Sequence, residues 1–204
     1  MGYKKPSQMT NVEALPGLKS LWSKTLGDPR ICIAVLDGPV DQFHPCFQGA
    51  SLTQQQTLTS GTTGFGSTSQ HGTHVASIIL GQHNDLVPGV APGCRGLIIP
   101  VFVEGREGSL IPCSQLDLAR AITQAVEQNA NVINISGGQF TLSGEPDPFL
   151  AHAIRLCEEK NVLIVAAAGN DGCDCLHVPA SVASVLAVGA MDVLGNPISF
   201  SNWG

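Results

Sequence analysis

The stretch ICIAVLDGPVD, residues 31–41, decides how this chain folds. Residues 31–36 are all apolar, with no polar residue alternating among them. An uninterrupted apolar run predicts a strand that is buried on both faces, as strands of a parallel sheet are. The run ends at Asp37, and Gly38-Pro39 predicts a turn after it. An acidic side chain is therefore expected at the carboxyl end of a buried strand.

Similar apolar segments recur along the chain and alternate with helical patterns. Further strands are predicted at four places, within residues 95–103, 131–136, 161–170 and 184–190. Pro100 interrupts the first of these or puts it at a sheet edge. Helices are predicted over residues 71–80, over residues 114–130 with Ser114 at the N-cap, and from Asp147-Pro148 onward. The expected apolar stripe of the last helix is Phe149, Leu150, Ala153, Ile154 and Cys157.

This alternation predicts the class of fold. Strands that alternate with helices form a central parallel sheet with helices on both faces, so we expect an α/β fold. Residues 51–70 are polar and predict a long loop. At 204 residues the chain is long enough for one domain with a sizeable core.

Composition and charge argue against several classes of function. The net charge is −6 and no basic run occurs, so a nucleic-acid partner is not expected. The N-terminus has no apolar signal-peptide core, and no run approaches the ~18 apolar residues of a membrane span.

Seven cysteines cannot all pair within one chain, and several stand in apolar runs. Buried thiols in a reducing compartment are the simplest reading, so we expect a cytoplasmic protein without membrane contact.

Polar residues that could carry chemistry follow the predicted strands. Ligand sites of parallel sheets form beyond the carboxyl ends of the strands. The residues expected there are Asp37, Ser136-Gly137-Gly138 and Gly169-Asn170. His71 is expected to open a helix beside the same edge. An acid, an imidazole and an amide therefore converge on one rim.

Three readings of these residues are open. His71 and His74 could be metal ligands, but no Glu stands between them and the spacing of Cys173 and Cys175 is unusual for zinc. A nucleotide-binding domain is disfavoured because no G-x-G-x-x-G follows residues 31–37. Acyl transfer fits better: a helix N-terminus favours a neutral imidazole base, an aspartate orients it, and an amide stabilises an oxyanion. Taken singly, an aspartate at a strand end and an asparagine in a turn are also ordinary turn residues.

The order of the motifs resembles that of the subtilisin-like serine proteases. Those motifs are AVLDGPVDQFHP, HGTHVAS, GVAP, NVINISGG, VAAAGNDG and LAVGA…FSNWG, from about residue 31 to the end. The resemblance implies that Asp37 and His71 are the acid and base of a catalytic triad and that Asn170 donates to the oxyanion. It also implies that His74 is a structural neighbour of His71. Substrate-binding roles are implied for Ser136, Gly137, Gly138 and Gly169.

Finer motifs are similar to those of the cyanobactin leader-removing maturation proteases, the PatA type. They include GCRGLIIP, CSQLDLAR and AAAGNDGCDCLHVPA. Members of that group remove the leader from a ribosomally made precursor peptide, and the macrocyclising relatives carry a helical insertion between the Asp and His motifs. Here 33 residues separate Asp37 from His71, which favours leader removal. The resemblance thus implies a serine endopeptidase with a peptide substrate, and we expect no cofactor and no metal.

The sequence departs from that family at two points. Gly38 replaces the Ser or Thr whose hydroxyl helps to hold the acid in most subtilases, so we expect a weaker hold on Asp37. The nucleophile motif Gly-Thr-Ser-x-Ala-x-Pro does not occur in residues 1–204. We expect an N-terminal extension over residues 1–30 and a subtilisin-like peptidase domain over residues 31–204, truncated before a serine that lies beyond Gly204. The alternative is a catalytically inactive peptide-binding module.

Overall fold

A six-stranded parallel sheet organises the chain. The structure, a computed structural model, describes residues 12, 15–56, 66–84, 87–104, 110–111, 113–192 and 194–204. In chain order its elements are α1 (Leu18–Trp22), β1 (Cys32–Asp37), a 3-10 turn (Pro45–Phe47), β2 (Ser51–Gln54), α2 (Ser67–Leu80), β3 (Arg95–Pro100), β4 (Val103–Glu104), β5 (Leu110–Ile111), α3 (Gln115–Glu127), β6 (Val132–Ile135), α4 (Pro148–Glu159), β7 (Leu163–Ala167) and β8 (Leu186–Val188). The sheet order is β2-β3-β1-β6-β7-β8, and β4 pairs with β5 separately.

The two faces of β1 support two cores, as an uninterrupted apolar strand predicts. Ala34 and Leu36 face a core that α3 and α4 cover, whereas Val35 faces a smaller core under α2. All three side chains are fully buried. The predicted α/β fold with helices on both faces is therefore confirmed.

Most predicted helix and strand positions are confirmed, with capping as expected. The Ser114 hydroxyl accepts a hydrogen bond from the Asp117 N–H at 3.1 Å, and the Asp147 carboxylate accepts one from the Leu150 N–H at 2.8 Å. Pro100 is the last residue of β3, so it interrupts the predicted run; β3 is not an edge strand. The predicted apolar stripe of α4 is wrong at Phe149, because this residue is 65% exposed.

Both ends of the segment predicted as a loop over residues 51–70 belong to regular elements. Residues 51–54 form the edge strand β2, and α2 begins at Ser67. His71 therefore lies in the second turn of α2 and does not open the helix, so the dipole argument from the first turn does not apply to it. Residues 57–65 of the predicted loop lie outside the described residues.

Part of the predicted N-terminal extension is folded against the domain. α1 lies within it, and the Trp22 indole N–H donates to the Val90 carbonyl at 2.9 Å. Residues 1–11 and 13–14 are outside the described part of the chain. Among the described helices, none is both long enough and apolar enough to cross a bilayer.

Candidate active site

Asp37 and His71 form a hydrogen-bonded pair at the carboxyl end of β1. Asp37 is 1% exposed, and its Oδ1 lies 2.8 Å from His71 Nδ1. A carboxylate can only accept a hydrogen bond, so Nδ1 carries the hydrogen, and in the neutral imidazole Nε2 then has the lone pair. The His71 side chain is 59% exposed, which leaves Nε2 available as a base. The geometry thus provides a buried acid that orients an accessible imidazole.

Asp37 also organises the backbone around it. Its carbonyl oxygen accepts hydrogen bonds from the Val101 and Phe102 N–H groups at 2.8 and 3.2 Å. One strand away, the Ser136 N–H donates to the Leu36 carbonyl at 3.4 Å. The ends of β3, β1 and β6 are therefore tied together where the imidazole stands.

Five of the predicted site residues line one cavity of about 450 Å³. They are Asp37, His71, Ser136, Gly137 and Gly138. Phe102, Ser67 and Thr68 complete the lining. The Phe102 ring occupies the space in which a side chain at position 137 would stand, which explains the glycine there. The cavity thus has the backbone of Ser136–Gly138, called the glycine edge below, on one side and the imidazole on the other.

The predicted amide donor, Asn170, lies outside the lining of that cavity. It is exposed and stands on the turn after β7, the strand next to β6. Gly169 precedes it with φ +115°, a conformation that side chains with a Cβ rarely adopt. Asn170 therefore stands on a turn that depends on the positive φ of Gly169, and this turn is one strand away from Ser136.

Asn202 holds this turn, a role that the sequence analysis missed. It is 3% exposed, and its N–H donates to the Gly169 carbonyl at 3.0 Å. Its Oδ1 accepts from the Asp171 N–H at 2.7 Å, and its Nδ2 donates to the Cys175 carbonyl at 2.9 Å. The signal was the FSNWG motif itself, in which a buried asparagine can bind several backbone groups.

Glu104 is a second residue that the sequence analysis missed. Its Oε1 accepts hydrogen bonds from the Thr68 N–H at 3.0 Å and from the Ser67 hydroxyl at 2.9 Å, so it caps the first turn of α2. Those two donors, Thr68 first, hold the pKa of Glu104 below its ordinary value. The carboxylate occupies the space beside Gly66 in which a Cβ would stand. No local sequence signal marks a cap that comes from 36 residues away.

The histidines and cysteines considered as metal ligands do not lie together in one site. His74 lines a different cavity, of about 400 Å³, together with Asp41 and His44. Cys173 and Cys175 are joined in a disulfide. In the described part of the chain, no three His, Cys, Asp or Glu side chains cluster as metal ligands would.

The family to which these features belong is the subtilase family. Its sequence model, Peptidase_S8, matches residues 28–204, so the chain belongs to this family. The thermophilic serine proteinase of Bacillus sp. (strain AK1) is 34% identical over 185 residues, which are 90% of this chain and 44% of that protein. The chain thus spans less than half the length of this relative.

Solved structures narrow the similarity. The prenylagaramide maturation protease PagA is 61% identical, with a TM-score of 0.83, over 93% of this chain and 64% of that one. The patellamide maturation protease PatA is 59% identical, with a TM-score of 0.77, over 87% of this chain and 62% of that one. The PatG macrocyclase in complex with peptide is 31% identical, with a TM-score of 0.78, over 94% and 67% of the two chains. The resemblance to cyanobactin maturation proteases is confirmed.

Proposed function

We propose that this chain carries the acid and base of a serine endopeptidase that removes the leader from a ribosomally made precursor peptide during cyanobactin maturation. The observation that carries the proposal is the 2.8 Å hydrogen bond between buried Asp37 and accessible His71. Identity of 61% to PagA, against 31% to the PatG macrocyclase, supports leader removal over macrocyclisation.

The proposed chemistry uses His71 as a proton carrier. His71 Nε2 takes the proton of a serine hydroxyl as the serine oxygen attacks the scissile carbonyl. Asp37 accepts from Nδ1–H and stabilises the imidazolium that forms. His71 then gives the proton to the leaving amine, and a water molecule repeats the sequence to release the acyl group. We place the serine beyond residue 204, in the motif that subtilases carry there.

Asn170 and the glycine edge have the supporting roles. The Asn170 amide donates to the oxyanion of the tetrahedral intermediate, and loss of one such donor typically costs about 3 kcal/mol of transition-state stabilisation. The substrate adds to the backbone of Ser136, Gly137 and Gly138 as an extended strand, which needs no side chains on the protein. Gly169 supplies the backbone conformation of the turn that bears the amide.

A catalytically inactive peptide-binding module is the second candidate. An intact Gly-Thr-Ser-x-Ala sequence downstream of residue 204 would favour the endopeptidase, and its absence there would favour this module. Such a module would keep the glycine edge and the cavity beside it, and it would bind peptides without cleaving them.

The test is labelling by a serine-directed phosphonate, read by intact mass. The complete translation product of the gene is treated with the reagent, and one adduct is expected because His71 activates the serine. Asp37→Asn is expected to slow peptide cleavage by ~10⁴ because the amide holds the imidazole in the wrong tautomer. Asp41→Asn, which changes a carboxylate outside the proposed triad, is the matched control.

The outcomes separate the two candidates. No adduct, together with retained binding of peptides, supports the inactive module. Equal cleavage rates for Asp37→Asn and the unaltered protein would contradict the proposed acid.

A further inference from the structure

A disulfide closes a small covalent ring a few residues after Asn170. Cys173 and Cys175 are joined, with only Asp174 between them. Both cysteines are half-buried and Asp174 is exposed, so a reagent in solvent can reach the bond. The other five cysteines are thiols, so among the described residues this is the bond that a reductant can break. The proposed triad chemistry uses none of these residues.

The backbone of this ring is paired with residues 202–203. The Trp203 N–H donates to the Cys173 carbonyl at 3.0 Å, and the Cys175 N–H donates to the Trp203 carbonyl at 3.1 Å. The Cys175 carbonyl accepts a hydrogen bond from Asn202 Nδ2 at 2.9 Å. The disulfide fixes the spacing of these backbone groups, because it holds the two cysteine Cα atoms 5.2 Å apart. An open chain of the same length can extend to about 7 Å.

Asn202 connects the ring to the turn that bears Asn170. The side-chain amide that binds the Cys175 carbonyl also accepts from the Asp171 N–H, through Oδ1, at 2.7 Å. The backbone N–H of Asn202 donates to the Gly169 carbonyl at 3.0 Å. Both neighbours of Asn170 are therefore bound to one buried residue, and that residue is in turn bound to the ring.

Reduction opens this ring. A dithiol gives two electrons and two protons to the disulfide, so the S–S bond breaks, two thiols form, and the dithiol becomes a disulfide itself. The Cα atoms of Cys173 and Cys175 can then separate, and the backbone groups between them lose their fixed spacing. Asn202 keeps its place only in those molecules in which the open segment retains the shape of the ring.

We propose that the Cys173–Cys175 disulfide is a redox switch of the candidate active site: the oxidised form holds the Asn170 amide in its productive position, and reduction by a dithiol releases it. The inference rests on the proposed function, because it gives Asn170 the role of oxyanion donor. If the turn of the reduced protein is productive in one molecule of ten, kcat falls ~10-fold. KM should change little, because the oxyanion exists only after attack on the carbonyl.

The test compares peptide cleavage by the two redox forms of the complete translation product. The protein is assayed as isolated, after reduction with dithiothreitol, and after reoxidation with oxidised dithiothreitol. Intact mass after alkylation verifies the state of the Cys173–Cys175 pair in each sample. We expect kcat to fall ~10-fold on reduction, with KM unchanged, and to recover on reoxidation.

Two variants and a control identify the cause. Cys175→Ser cannot form the ring, so its kcat should equal that of the reduced protein and should not respond to dithiothreitol. Asn170→Ala has no amide to release, so reduction should not lower its kcat further; the effects of the two changes are then not additive. Cys113→Ser, which changes a half-buried thiol outside the ring, should respond to reduction as the unaltered protein does.

Hydrogen exchange of the same protein reports on the turn without catalysis. The Asp171 N–H, which Asn202 binds, should exchange faster after reduction because its acceptor is no longer held in place. The Leu150 N–H, which the Asp147 carboxylate binds at the start of α4, is the internal control and should exchange equally in both forms.

The failures of the two proposals are distinguishable. Equal kcat in both redox forms, a response to reduction that persists in Asn170→Ala, or unchanged exchange of the Asp171 N–H would each overturn the switch. Absence of cleavage in both forms, together with faster exchange of the Asp171 N–H after reduction, would contradict the endopeptidase while supporting redox control of the turn.

Discussion

The two carboxylate oxygens of Asp37 differ in their partners. Oδ1 accepts from His71 Nδ1–H at 2.8 Å and from the Gly38 N–H at 2.6 Å. Oδ2 is buried and has no hydrogen-bond partner among the described residues. The missing hydroxyl at position 38 is consistent with this, because Gly38 offers only its backbone N–H. A buried carboxylate oxygen without a partner is uncommon.

Position 38 requires a glycine for a steric reason, which is separate from the loss of a hydroxyl. A Cβ at this position would overlap the carbonyl group of Thr68 in α2. A Cβ at Gly72, one turn further along α2, would in the same way overlap the carbonyl oxygen of Gly38. The helix that carries His71 therefore approaches the turn after β1 through two glycines, and a serine at position 38 has no room.

Gly38→Ala is expected to destabilise the chain and to displace His71. The overlap is with backbone atoms, which cannot rotate away, so a loss of about 2 kcal/mol in the free energy of unfolding is expected. The low-field NMR resonance of the His71 Nδ1 proton should shift or disappear as α2 moves. Urea unfolding and proton NMR of the 204-residue chain measure both effects.

Gly144→Ala is the matched control for that substitution. A Cβ at Gly144 meets nothing within 4 Å, and φ there is +69°. It should cost about 1 kcal/mol from backbone strain alone and leave the His71 resonance in place. Equal resonances in the Gly38 and Gly144 variants would contradict the steric account.

The residues of the site differ in how far the sequence predicts them. Asp37 and His71 could be predicted because each stands in a local motif beside a strong apolar pattern. For Asn202 the FSNWG motif could indicate a buried asparagine but not its partners, since these lie in segments that are distant in the chain. Asn202 binds the Ala168 carbonyl across 34 positions, and no periodicity records such a contact.

At the scale of elements, α2 shows which part of a helix an apolar pattern predicts and which part it does not. Its last ten residues are an apolar helical pattern and were predicted, whereas its first turn is polar and was assigned to a loop. Glu104 from β4 supplies the acceptor that this first turn needs. Likewise β2 has an alternating burial pattern at the sheet edge, without an apolar run to predict it. Elements that depend on a distant partner are the ones that the sequence does not predict.

Glu104→Gln is expected to weaken α2 in a pH-dependent manner. The folded chain holds the pKa of Glu104 below its ordinary value of 4.5, so the unfolded chain binds more protons between the two values. The carboxylate therefore stabilises the fold above about pH 4.5, and this contribution is lost as the pH falls through the folded pKa. Urea midpoints of the variant and the unaltered chain should differ at pH 7 and converge towards pH 3.

Glu127→Gln, on the exposed side of α3, is the control for Glu104. It changes the same charge far from α2, and its midpoints should follow those of the unaltered chain at both pH values. Hydrogen exchange should in addition report faster exchange of the Thr68 amide in the Glu104 variant alone. If the difference in urea midpoint between Glu104→Gln and the unaltered chain did not change with pH, the cap would be contradicted.

At the scale of the whole molecule, the seven cysteines divide into three groups. Cys32, Cys46, Cys94 and Cys157 are buried thiols, as expected from their apolar surroundings. Cys113 is half-buried, and burial, helped by the charge of Asp117, raises its pKa to about 12. Cys173 and Cys175 form a disulfide next to the turn that Asn202 holds; the sequence alone leaves open whether this pair is a disulfide or two thiols. The simplest reading of the sequence, buried thiols, therefore holds for the first group and does not extend to this pair.

This division predicts the outcome of thiol counting. In the native chain at pH 8, iodoacetamide should label almost nothing, because a thiol of pKa about 12 is ionised to roughly one part in 10⁴ and only the thiolate reacts. After denaturation without a reductant, intact mass should increase by five alkyl groups, and after reduction by seven. Cys175→Ser is the control: its remaining cysteines are all thiols, so reduction should not change its count. Seven groups added without a reductant would mean that the disulfide is absent, and the turn that bears Asn170 would then be held by Asn202 and the backbone alone.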